Sequence, residues 1–263
     1  MKNKLMGGAI LLMVSTLATA AQHFATPDQA TDALARAISE HNESGLKQLL
    51  GDNWREVLPP EGVDSGAVER FLRDWKVHHQ TDINGDVAHL VVGNNGWQLP
   101  LPVVKTAQGW QFDMQGAAEE IATREIGRNE LAAIEALHAY VDAQQSYYAL
   151  YHHYAQKIVS TAGTKDGLYW PAAPGEAPSP LGPAFSPPEP GAGYHGYHFR
   201  ILPDKTGFAM IAWPVSYGQT GVMSFMINQD DTVWQQNLGA DSSAKAQQIA
   251  LFETGQNWQR VAP

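Results

Sequence analysis

Residues 117–160 read AAEEIATREIGRNELAAIEALHAYVDAQQSYYALYHHYAQKIVS, the longest stretch of helical rhythm in the chain. Ile121, Leu131, Ile134, Leu137, Val141 and Tyr148 form an apolar stripe at helical spacing. Glu119, Glu120, Arg124, Glu125 and Arg128 fill the early turns, and Gly127 marks a kink point. Tyr140, Tyr147, Tyr148, Tyr151 and Tyr154 crowd the end. The stripe predicts one long helix over 117–160, packed on a sheet. An aromatic-lined ligand groove is the sharper reading of its tyrosine-rich end.

The sheet is predicted downstream. Strand patterns occupy 195–202, 208–215, 222–228 and 232–238, separated by a turn at 203–207, the loop Tyr217-Gly218-Gln219-Thr220-Gly221, and Gln229-Asp230-Asp231. Met223, Phe225 and Ile227 alternate with Val222, Ser224 and Met226. Residues 194–239 therefore read as a four-stranded antiparallel meander. A short helix at 242–252, capped by Asp241 or Ser242, follows. Between long helix and meander lies an irregular loop, 161–193. Eight of the 16 prolines fall between Pro171 and Pro190, too dense for helix or central strand. Tyr169, Trp170 and Phe185 predict that at least its first half docks, because a solvated linker has no use for aromatic rings.

Upstream, residues 24–116 read as a separate α+β unit. Thr26-Pro27-Asp28-Gln29 is a helix start, with a Thr cap and Pro at the first position. Ala30, Ala33, Leu34, Ala37 and Ile38 continue it at helical spacing. A second helix, 44–50, stops at Gly51, and a third begins near Asp64 with Val68, Phe71, Leu72 and Trp75 on one face. The period then changes to a strand at 87–92, apolar on both faces. An edge or bent strand follows at 97–104, interrupted by Pro100 and Pro102, and Gly109-Trp110-Gln111-Phe112 closes a hairpin.

The chain has 263 residues, 44% hydrophobic and 17% charged, which suits a packed globular protein of one large or two small domains. Lys and Arg number 17 against 27 Asp and Glu, a net charge of −10, which argues against broad nucleic-acid or anionic-membrane binding. There is no Cys, which excludes disulfides, thiolate zinc sites and cysteine nucleophiles. Residues 1–20 carry the order of a signal peptide: Lys2 and Lys4, an apolar run from Leu5 to Val14, then Ala18-Thr19-Ala20. Cleavage after Ala20 predicts a periplasmic or extracellular protein with no membrane insertion.

The search for chemistry returns little. Ser44-Gly45-Leu46-Lys47 and Ser242-Ser243-Ala244-Lys245 both match Ser-x-x-Lys, but no companion motif accompanies either. His195 and His198 have the best metal spacing, yet residues three apart on a strand face opposite ways. His78-His79 and His152-His153 are adjacent, which is no chelate on a helix. Asp166 reads as a turn former. No metal ligand set, cofactor or catalytic residue is assigned. Asn129, Asp142 and Gln144 need partners wherever the long helix is buried. Arg124, Glu125, Arg128 and Glu130 read as a mixed polar face.

Several longer motifs resemble a known group: Gly127-Arg-Asn-Glu-Leu-Ala-Ala-Ile134, Ala139-Tyr-Val-Asp-Ala-Gln144, Lys165-Asp-Gly-Leu-Tyr-Trp-Pro171, Ser179-Pro-Leu-Gly-Pro183, Tyr194-His-Gly-Tyr197 and Gly221-Val-Met. With Phe24-Ala-Thr-Pro-Asp-Gln-Ala30 and Gly109-Trp-Gln-Phe-Asp113, they cover nearly all of the chain past the leader. They resemble the secreted bacterial family catalogued as domain of unknown function 2950, which implies no activity. The chain departs from that pattern in a short 202–207 segment, in His198, and in Asp231 at a turn position usually held by Gly. Residues 129–154 with the meander are also similar to pilin-like and pseudopilin-like globular domains, without their apolar stem. The N-terminal order is similar to cystatin or nuclear-transport-factor-2 folds.

These readings favour an exported, non-catalytic envelope protein that binds a partner protein or supports a surface assembly. Tyr169, Trp170, Tyr194, His195 and Tyr217 are the expected contact residues. The alternative is a small-ligand binder or enzyme with an N-terminal pocket lined by Trp75, Trp97, Trp110 and Phe112.

Overall fold

The computed structural model describes residues 22–58, 65–185, 193–205 and 207–262. The leader expected at 1–20 and the last prolines of the 161–193 loop lie outside them. The chain divides into two compact units between Ile121 and Ala122. Both combine helices with antiparallel sheets, so the α+β expectation holds.

In the first unit, α1 (Pro27–Ser39) starts as the sequence requires, with Thr26 Oγ1 accepting from the Gln29 N–H at 3.3 Å. Next come α2 (Glu43–Leu50), a single turn α3 (Trp54–Val57) and α4 (Ser65–Val77). The sheet runs β1 (His79–Asn84), β2 (Val87–Val92), β4 (Val103–Thr106), β5 (Gly109–Phe112), with β3 (Trp97–Gln98) also on β2. The strand predicted at 97–104 is thus broken between β3 and β4, where Pro100 and Pro102 cannot donate to a ladder. β1 was not foreseen. His79-Gln-Thr-Asp-Ile-Asn84 lacks apolar alternation because it is an almost wholly exposed edge strand, where polarity discourages further pairing. Helices and sheet share one core: Ala30, Leu34 and Ala37 of α1 pack with Leu49, Leu50, Val103, Trp110 and Phe112.

The helix α5 (Met114–Tyr151) begins in the first unit and continues through the second. It starts earlier than predicted because Asp113 Oδ1 accepts from the Gln115 and Gly116 N–H groups, both at 3.1 Å. It also ends nine residues before 160, because His152 turns left-handed (φ 58) and Gln144 captures the chain beyond it. Fully buried Gln144 accepts from the Ala155 N–H at 2.9 Å, and its Nε2 donates to Ala155 O (2.8 Å) and Tyr140 Oη (3.1 Å). Tyr140 Oη in turn donates to Ala209 O at 3.1 Å. Burial raises the Tyr140 phenol well above its ordinary pKa, so it remains a donor.

The sheet of the second unit has five strands, not four. Its order is β10 (Gln259–Arg260), β9 (Trp234–Gln236), β8 (Ser224–Asn228), β7 (Phe208–Pro214), β6 (Tyr197–Pro203). The meander is as expected, and the C-terminal β10 adds an edge that two residues of polar sequence do not announce. α5 covers one face: Ala133, Leu137, Tyr140, Val141 and Tyr147 pack on Phe208, Met210, Ala212, Phe225 and Ile227. The alternate residues Ala209, Ile211, Trp213 and Met226 meet α6 (Ser242–Gln248) and its following segment on the other face. Arg200 Nη2 closes the end of α6 by donating to Ala246 O and Ile249 O at 2.8 and 2.7 Å. The buried stripe of α5 differs from the predicted one. Leu131 is 64% exposed, since it lies about 160° around the helix from Ala133.

Residues beyond α5 form an ordered loop gathered by Asp166. Its carboxylate accepts from Lys157 Nζ (2.6 Å), the Thr161 N–H (2.7 Å) and both Thr161 and Thr164 hydroxyls (2.9 Å each). Lys157 and these hydroxyls hold the carboxyl below the usual range. The stability it adds is therefore complete above the ordinary carboxylate range and fades as pH falls below it.

The Gln144 hub makes a stability prediction. Gln144→Leu strands two buried backbone groups and should lower stability by about 2–5 kcal/mol, against about 1–2 kcal/mol for Tyr140→Phe. Urea unfolding midpoints of the two variants check the order.

Candidate functional site

Tyr194, His195, Gly196 and Tyr197 make a two-residue hairpin turn. The Tyr194 N–H donates to Tyr197 O at 2.8 Å, and the Tyr197 N–H returns to Tyr194 O at 3.0 Å. Both central residues are left-handed, His195 at φ 47 and Gly196 at φ 72. That is a type I′ geometry, which favours Asn-Gly. Gly196 is needed twice over, because a Cβ there would lie 2.8 Å from Thr220 Cβ. His195 departs from that preference, as one of four non-glycine residues with positive φ among those described. A non-glycine residue in this region carries about 1–2 kcal/mol of strain, and such strain is a pointer to function.

The exposed His195 borders an open cleft of about 190 Å³. α5 contributes Ala132, Glu135, Ala136 and Ala139; Phe185, Tyr194 and His195 supply the rest. The rings form a connected cluster, with Phe185 4.9 Å from Tyr194 and Tyr194 4.2 Å from His195, centroid to centroid.

A carboxylate latch fixes the turn against α5. Glu130 Oε1 accepts from the successive N–H groups of Val222 and Met223, both at 2.9 Å. Asn129 Nδ2 donates to Thr220 O at 3.0 Å, beside Gly196. Tyr197 Oη donates to Met223 O at 2.8 Å. Burial, and secondarily the Glu130 charge, raise the Tyr197 phenol far above its ordinary pKa, so this donor is permanent. Gly221 is dictated by the same contact, since a Cβ would fall 2.1 Å from Tyr197 Oη. Glu130, taken from the sequence as part of a mixed polar face, is thus a structural anchor.

The five expected contact residues do not form one patch. Tyr194 and His195 line the cleft, and the half-buried Tyr217 sits in the adjoining 217–221 loop. Tyr169 and Trp170 lie elsewhere. Trp170 is only 5% exposed, edge-on to Tyr151 at 6.5 Å, with Lys165 Nζ 5.5 Å above its ring. Tyr151 is about 24 Å along α5 from Glu135. Trp170 therefore belongs to the core rather than to a free surface, because the 157–170 loop folds back on α5 and buries it.

The four residues of the alternative pocket are also dispersed. Trp110 and Phe112 are in the main core of the first unit. Trp75 packs beside Phe71 and stacks on His79 at 3.9 Å, and Trp97 is 48% exposed. A cleft of about 130 Å³ in this unit is lined by residues of α1, α2 and the segments flanking them, and by none of the four. His198 lies 5.5 Å from Trp213, and burial lowers its pKa. Among the described residues, no three of His, Asp or Glu are grouped to hold a metal. Glu135 and Phe185 were missed as site residues. They lie some 50 residues apart, and nothing in the sequence brings them together.

The chain belongs to a family of proteins of unknown function. A family model matches residues 21–206 and 203–261, and its description is Protein of unknown function (DUF2950). No curated protein and no solved structure matches the chain. The structure supports the α+β class, and the comparisons leave the likeness to pilin-like and cystatin-like folds unconfirmed.

The strained turn is directly testable. His195→Asn keeps a residue that tolerates φ 47 and should raise stability by roughly 0.5–1 kcal/mol. Thermal unfolding measures the gain, and a loss would show that the imidazole anchors the turn instead.

Proposed function

We propose that this is an exported, non-catalytic binding protein that docks another envelope or surface protein at the cleft between α5 and the Tyr194–Tyr197 turn. The observation that carries the reading is His195, held in a strained conformation, exposed, and joined to an aromatic cluster over an open cleft. Strain is kept where the displayed side chain is useful, and aromatic residues anchor interfaces because they bury large area at low entropy cost.

Two further observations support docking over turnover. The cleft is smaller than the ~300–1,000 Å³ typical of small-molecule sites. The strongly shifted groups Tyr140, Tyr197 and Asp166 are each committed to structural hydrogen bonds. Export rests on the charge–apolar–small order of residues 1–20. No helix among the described residues is long and apolar enough to cross a membrane.

Affinity capture from an envelope extract of the producing bacterium tests the reading. Wild-type protein should retain one dominant polypeptide. Tyr194→Ala and His195→Asn, both shown to be folded, should retain at least fivefold less. Retention that ignores both substitutions, or no retention at any salt, would refute the docking site. Trp170→Ala is unsuitable for this purpose, since removing a buried ring destabilises by about 3–5 kcal/mol.

A further inference from the structure

We infer that the cleft takes the cationic end of a lysine or arginine side chain from an extended segment of the partner polypeptide. This rests on the docking reading above and specifies its chemistry. Among the described residues, Glu135 is the one carboxylate that lines the cleft, and no Lys or Arg lines it. A cation from outside can therefore pair with it in the cleft. Phe185 and Tyr194 present aromatic rings beside it, and a guanidinium or ammonium over such a ring gains cation–π attraction, with Arg the more frequent partner. Ala132, Ala136 and Ala139 offer small apolar contacts, against which the aliphatic stem of a long basic side chain lies while its charged head reaches the carboxylate.

Size and charge select a polypeptide as the source. A volume of about 190 Å³ suits one long side chain rather than a whole metabolite. From Ala132 to Ala139 the helix advances about 10 Å, the span of roughly three residues of extended chain. The net charge of −10 attracts a basic segment and speeds its encounter. The chain already pairs cations with rings elsewhere: Arg55 lies 4.9 Å from the Trp54 centroid.

The test is an NMR titration of the ¹⁵N-labelled protein with an acetylated, amidated Ala-Arg-Ala peptide, its Ala-citrulline-Ala counterpart, and spermidine. Citrulline keeps the shape of arginine without the charge. The arginine peptide should shift the backbone signals of Glu135, Ala136, His195 and Gly196, and the citrulline peptide should bind at least fivefold more weakly. Glu135→Gln should weaken the arginine peptide roughly two- to fivefold, as expected for an exposed ion pair, and leave the citrulline peptide unchanged. Tyr194→Ala should weaken the arginine peptide by a similar factor. Both variants must otherwise superimpose on the wild-type spectrum. Equal binding of the two peptides, or indifference to Glu135→Gln, overturns the cationic specificity while docking at the cleft stands. Spermidine shifting these signals as strongly as the arginine peptide overturns the polypeptide source. No shift with either peptide overturns the inference outright, and the capture experiment then judges the docking reading separately.

Discussion

The Glu130 carboxylate, accepting from two successive backbone N–H groups at Val222 and Met223, is the interaction on which the candidate site depends. Hydrogen bonds to a carboxylate are roughly twice as strong as those to a neutral acceptor. The same loop is gripped by Asn129 through Thr220 and by Tyr197 through Met223. Gly196 and Gly221 leave no room for a side chain, because the turn and the loop approach their neighbours too closely. Together these contacts set the His195 turn against the helix and leave the aromatic cleft open between them.

The C-terminal part of α5 is held by different chemistry. Gln144 satisfies both backbone groups of Ala155 and reaches the sheet through Tyr140. Buried polar networks of this kind are stable only when every member is paired, and this one is paired throughout. The sheet below is covered on both sides, by α5 and by α6, so β7 is buried along its full length. Anchoring α5 at its middle through Glu130 and near its C-terminal end through Gln144 gives the strained turn a fixed platform. A recognition surface built this way loses little conformational entropy on binding.

Much of this architecture was readable from residues. Alternation in 222–228 marked a strand, and Thr26-Pro27 marked a helix start, because period and capping are local signals. Elements whose signals are not local were missed. β1 and β10 are short or polar edges with no apolar rhythm. The end of α5 depends on Gln144 reaching eleven residues ahead, which no propensity encodes. Within the candidate site, Tyr194 and His195 were identifiable as aromatics beside a glycine. Glu135 and Phe185 join them only through the tertiary fold, and Trp170 looked like a surface anchor until the loop around Asp166 closed over it.

Amide hydrogen exchange in Glu130→Ala shows whether the Glu130 latch builds the cleft. The Val222 and Met223 amides should exchange at least tenfold faster than in wild type, and the Tyr194 and Tyr197 amides of the turn should accelerate with them while the Ala155 amide does not. Unchanged exchange in the turn, with the loop alone loosened, would contradict it.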